Sequence, residues 1–152
     1  VMDWTITLTA AAAVVLGKDR KMAKEGSFAV RVCTALTRKG DAPDLMSDAL
    51  GNKGEKAIRA AAAPWVDYSG EVGGKKLGVA VMDHPASFRA PTNWHVRAYG
   101  LFAANAWLVR AENSLAKGES ITLRYRIYVH AGGPEDGKVA EVYAGFANDK
   151  TE

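Results

Sequence analysis

The chain has 152 residues, 48% of them hydrophobic and 24% charged, with a net charge of +3. That length suits one domain with an ordinary core, and the charge content argues against a chain disordered throughout. The basic residues are scattered, the densest run being Lys18 to Lys24, which speaks against nucleic-acid binding; the longest apolar run, Ala10 to Leu16, falls far short of the roughly 20 residues a membrane helix needs.

Met2 to Thr9 alternates with period two, placing Met2, Trp4, Ile6 and Leu8 toward a core and the threonines outward. This strand begins at residue 1 without a leading loop, so the chain is expected to be the C-terminal part of a longer protein. It is also expected to expose an apolar sheet edge or face. Ala10 to Leu16 reads as a second strand, closed by Gly17 and the charged loop 18–25. Phe28 to Leu36 reads as a strand that buries Cys33 as a small hydrophobe. With one cysteine, neither an internal disulfide nor a cysteine-based zinc site can form.

Arg38 to Lys56 is a long polar, glycine-rich excursion of the kind that is often functional. A helical turn is expected over Ile58 to Ala63, before Pro64. Trp65 to Gly70 and Lys76 to Met82 read as strands joined at Gly73-Gly74 by a hairpin turn. Ser120 to His130 gives the clearest strand, with Ile121, Leu123, Tyr125, Ile127 and Val129 on one face. Arg124, Arg126, Tyr128 and His130 on the other face read as a solvated stripe or, less simply, a concave ligand surface. Val139, Val142, Tyr143 and Phe146 follow helical spacing, giving a short helix between Lys138 and Ala147. About seven strands without β–α–β alternation predict a mainly antiparallel β-sandwich with that helix at its C-terminal end.

The stretch Gly78 to Asn105 holds the densest functional groups. His84 and His95 lie at the two ends of one connection, and a neutral imidazole can serve as general base or ligand. Arg89, Arg97 and Asn93 offer hydrogen-bond donors for hydroxyl or acidic groups, and Asp67 offers a carboxylate from a neighbouring strand. His95 and Arg97 share strand parity, whereas Trp94 has the opposite parity and suits the core. His84, His95 and Arg97 are therefore expected to converge on one concavity with Arg89 at its rim, a site for a polyhydroxylated or acidic small molecule. His84 has a structural alternative as a turn cap, and His95 as a core hydrogen-bonding group. The residues name no cofactor, no metal and no compartment.

Trp65-Val66-Asp67-Tyr68-Ser69-Gly70, Gly78-Val79-Ala80-Val81-Met82-Asp83-His84-Pro85 and the run from Pro91 through Trp94-His95-Val96-Arg97 to Asn105 resemble the PmoA-like family. Glu25 to Arg31 and Gly118 to Arg126 fit the same pattern, so the resemblance spans Asp3 to Val129 and corresponds to the C-terminal half of a longer protein. It implies a soluble bacterial protein with a sandwich related to sugar-binding folds, acting on or binding a sugar-derived ligand as an enzyme or as a non-catalytic carbohydrate-binding module. The missing N-terminal half is then its implied partner. The family's label, methane oxygenase, implies a copper enzyme, against which the sequence shows neither a spanning segment nor a dense ligand cluster. Two departures stand out: Ala90 where the pattern has histidine, and Ala106-Trp107-Leu108 where it has Pro-Phe-Gly.

Overall fold

A computed structural model of the chain describes residues 1–17 and 26–149; the charged loop 18–25 expected from the sequence lies outside the described residues. Ten strands and two helices appear among them. β1 (Met2–Thr9), β10 (Ser120–Ala131), β6 (Lys75–Asp83), β5 (Trp65–Val72) and β4 (Met46–Asp48) form a five-stranded antiparallel sheet in that spatial order. β3 (Phe28–Arg31), β8 (Leu101–Asn105) and β7 (Asn93–Arg97) form a three-stranded sheet, and β2 (Val14–Leu16) pairs with β9 (Asn113–Leu115). The expected antiparallel β architecture with a short C-terminal helix, α2 (Val139–Ala147), is what forms.

The core lies between the two larger sheets. Val66, Tyr68, Val81, Leu123 and Tyr125 point inward from the five-stranded sheet to meet Trp94, Val96, Phe102 and Ala104 from the three-stranded one. Tyr68 and Phe102 pack ring to ring at 5.7 Å. Trp94 is fully buried and donates its indole N–H to the Ala63 carbonyl at 2.8 Å, so the polar end of this large ring is satisfied inside the core. The Gly73-Gly74 hairpin forms between β5 and β6, both glycines holding positive φ.

Several local expectations are corrected. Cys33 is exposed, because the strand ends at Arg31 and the backbone tightens into a 3-10 turn over Thr34–Leu36. In the Ala10 to Leu16 run only Val14–Leu16 pairs as a strand. The helical turn expected over Ile58 to Ala63 lies earlier, as α1 (Gly54–Ile58), because Asp41 caps it from a distance. The Asp41 carbonyl accepts the Glu55 N–H at 2.7 Å and its carboxylate accepts the Lys56 N–H at 2.6 Å. The polar stripe of β10 is not an open sheet face, since α2 covers it. Arg126 lies over the Phe146 ring at 4.5 Å, and Tyr128 packs with the Trp65, Met82 and Val139 cluster.

Candidate functional site

β7 alternates strictly. Trp94 and Val96 point into the core, so Asn93, His95 and Arg97 share the opposite, outer face of the three-stranded sheet. α1 and the turn after β8 rise on either side of that face. The result is a groove of about 510 Å³ lined by His95, Glu55, Lys56, Arg59, Ala60, Leu108 and Val109. His95 is 8% exposed and sits at its floor, whereas Lys56 and Arg59 are exposed along one wall.

The remaining members of the row brace this groove. Arg97 forms a 2.8 Å ion pair with Glu55, whose other carboxylate oxygen accepts the Ala98 N–H at 2.7 Å. Glu55 is thereby tied to the end of β7 and its charge is offset. Asn93 donates its side-chain N–H to the Ala60 carbonyl at 2.8 Å, holding the second residue after α1 in the groove wall. The side-chain oxygen Oδ1 of Asn93 is buried with no hydrogen-bond partner. On the far wall, the Asn105 side chain accepts the N–H groups of Trp107 and Leu108 at 2.9 and 3.1 Å, folding the turn that presents Leu108 and Val109.

The other expected site residues lie elsewhere. His84 follows β6 with the parity of Ala80 and Met82, and its ring packs edge-on against Phe146 of α2, with ring centroids 4.9 Å apart. It therefore sits on the outer side of the five-stranded sheet, across the sandwich from His95. Its Nδ1 accepts the Ala86 N–H at 3.0 Å, as a turn cap does, while Nε2 is buried without a hydrogen-bond partner. The expected convergence of His84 and His95 thus fails because the connection between them crosses from one sheet to the other. Arg89 is no rim residue. Its guanidinium donates to the carbonyls of Ala106 and Ala111 at 3.2 and 2.7 Å and lies over the rings of Phe88 and Trp107, so it braces the segment carrying Leu108 and Val109 from behind.

Asp67 faces α2, not the groove. Its carboxylate meets His130 Nε2 at 2.7 Å, with both side chains essentially excluded from solvent. His130 Nδ1 faces the Ala131 carbonyl at 3.2 Å, so both ring nitrogens point at acceptors, which suits the imidazolium. Burial alone would push His130 down; the hydrogen bond and charge of Asp67, with the Ala131 carbonyl, outweigh it and hold the pKa above the ordinary value.

A family model matches residues 1–144 of the chain and describes a family of unknown function, DUF6807. The chain belongs to that family. No curated protein and no solved structure matches it. The DUF6807 match carries no link to the PmoA naming suggested by the sequence resemblance. Among the described residues, no three histidine, cysteine or acidic side chains gather where they could hold a metal ion, and no helix is long and apolar enough to cross a membrane.

In this DUF6807 chain, the sequence singled out His95, Arg97 and Asn93, with strand parity placing His95 and Arg97 on one face, but it did not single out Glu55, Lys56 and Arg59, which line the groove. The signal was present in the long polar excursion before Pro64. What it lacked was the remote Asp41 cap, which turns that excursion into a helix facing β7.

Proposed function

We propose that this chain binds a polyhydroxylated small molecule bearing an acidic group, of the sugar-acid class, in the groove above β7. The observation that carries the reading is the composition of that groove. A buried imidazole lies at the floor, two exposed cations stand on one wall, and the groove's single carboxylate is already paired with Arg97. Lys56 and Arg59 supply positive charge to an acidic group, and Arg59 can do so with two parallel donors. The His95 ring lies at the groove floor, where it meets a ligand hydroxyl, and Leu108 and Val109 take the apolar face of a sugar ring. The place of His95 on the groove floor suits a general acid or base role.

Titration calorimetry of the full chain with glucuronate, gluconate and glucose tests this. Acid-bearing sugars should bind and glucose should bind more weakly. His95→Ala should abolish binding of all of them with the fold intact, whereas Arg59→Ala should weaken the acids alone. Wild-type affinity in His95→Ala, or no binding by any acidic sugar, would overturn the proposal.

A further inference from the structure

A second concavity lies on the outer side of the five-stranded sheet, across the sandwich from the His95 groove. It has a volume of about 130 Å³ and opens between β4, β5 and the turn that leads into α2. The register places its floor. Ser47 pairs with Asp67, and Ser69 pairs with Gly78, which in turn pairs with His130. Both serines therefore take the outer face that Asp67 and His130 occupy. Ser69 is 7% exposed, yet its hydroxyl has no hydrogen-bond partner among the described residues and is not sealed from solvent. It opens into the concavity that it lines.

Two lysines border this floor. Lys53 precedes α1 and Lys76 belongs to β6; both line the concavity, and neither forms an ion pair among the described residues. Lys76 reaches across Gly133, whose missing side chain leaves the space: its Nζ lies 3.2 Å from where a Cβ would sit. The acidic side chains that line the concavity are Asp44 and Glu135. Asp44 is engaged by Arg38 at 3.5 Å, whereas Glu135 forms no ion pair among the described residues. Two unpaired cations against one unpaired carboxylate leave a surplus positive charge beside two hydroxyl donors. From this geometry we infer that the concavity binds a small tetrahedral oxyanion of the phosphate type, taking hydrogen bonds from Ser47, Ser69, Lys53 and Lys76. These donors come from four separate backbone segments, and a tetrahedral anion has an oxygen for each, whereas a planar carboxylate has two. A neutral polyol would leave the lysine charges unbalanced, and a metal ion would meet two ammonium groups.

The experiment is titration of the full chain with sodium phosphate at constant pH and ionic strength, followed by amide NMR, with sodium acetate as the planar control. The Ser69 and Gly133 amide signals should move saturably with phosphate and respond more weakly to acetate. Lys76→Ala should lower the phosphate affinity at least about tenfold, the scale of one lost charge-assisted hydrogen bond, and Ser69→Ala should lower it about fivefold. Glu135→Gln removes the like charge and should tighten binding about twofold. Lys75→Ala removes the same charge from the neighbouring residue, which has the opposite parity and does not line the concavity, so it should leave the affinity unchanged. Lys75, Lys76 and Glu135 are exposed, so their substitution leaves the core untouched. No saturable shift in the wild type, acetate binding as tightly as phosphate, equal loss in Lys75→Ala and Lys76→Ala, or weaker binding in Glu135→Gln would overturn the inference.

Discussion

His130 and Asp67 illustrate how much one buried pair can demand of its surroundings. Breaking such a pair leaves a charge without compensation in the interior, and the expected cost is about 3–5 kcal/mol. Asp67→Ala should therefore lower the melting temperature sharply. Gly137 and Gly78 each leave room for the imidazole, since a Cβ at either would collide with His130. Because the folded pKa of His130 is raised, its stabilising contribution is fully present below the unfolded value near 6.5 and is lost as pH rises through the folded value. The wild type should lose stability over that window, and His130→Gln should flatten the loss in thermal melts recorded across pH. Asp83 has the same sign for a different reason, because burial raises its carboxyl from 3.8 to about 6. Its contribution is present below pH 3.8 and lost as pH rises through about 6. Asp83→Asn should thus stabilise the fold at pH 8, by up to about 3 kcal/mol, and change little at pH 3. Denaturant midpoints at the two pH values check this; a variant equally destabilised at both would show that burial cost is not what the carboxylate contributes.

At the scale of elements, period-two alternation made β1, β3 and β10 legible, apolar runs and the Gly73-Gly74 turn did so for β5 and β6, and helical spacing for α2. Each is long enough for its pattern to outweigh local propensity. Elements fixed by remote partners were not legible. α1 has five residues and no side-chain cap from its own N-cap residue, Lys53; Asp41 supplies the cap instead. The candidate site divides in the same way. The shared face of His95 and Arg97 follows from parity along one strand, whereas the position of His84 depends on where the intervening connection leads. That path passes through the turn at His84 to Ser87 and the Thr92 contact with Asp83. Asp41→Ala should cost about 1 kcal/mol, the usual effect of losing a helix cap. It should also weaken any ligand of the His95 groove more than a cap-deleting substitution distant from that groove, because α1 carries Glu55 and Lys56, and its C-cap Arg59, into the wall. Parallel denaturant and binding titrations separate the two effects.

At the scale of the molecule, the two larger sheets among the described residues are unequal, five strands against three, and the larger one overhangs. Among the described residues, β1 is an edge strand hydrogen-bonded to β10 alone. Met2, Trp4 and Ile6 on β1 and Ile127 and Val129 on β10 have the inward parity, and Met2 pairs directly with Ile127. Ile6 and Ile127 pack against the core, yet Met2 is 50%, Trp4 49% and Val129 59% exposed. Trp4 reaches Phe28 at 5.9 Å, which is as far as β3 extends the smaller sheet toward this corner. The sequence expectation that Met2, Trp4 and Leu8 would lie in the core is therefore corrected. Their alternation is right and their face is right, but the opposing sheet does not cover them. An exposed apolar corner beside an unpaired strand edge favours association between copies of the chain. Sedimentation velocity should show association that grows with concentration, together with binding of a hydrophobic dye. Val129→Thr and Met2→Glu, which add polar groups at the corner while leaving Trp4 on Phe28, should reduce both. A chain that stays monomeric at every concentration and binds no dye would mean that the overhang is too small or too polar at its rim to recruit a second copy.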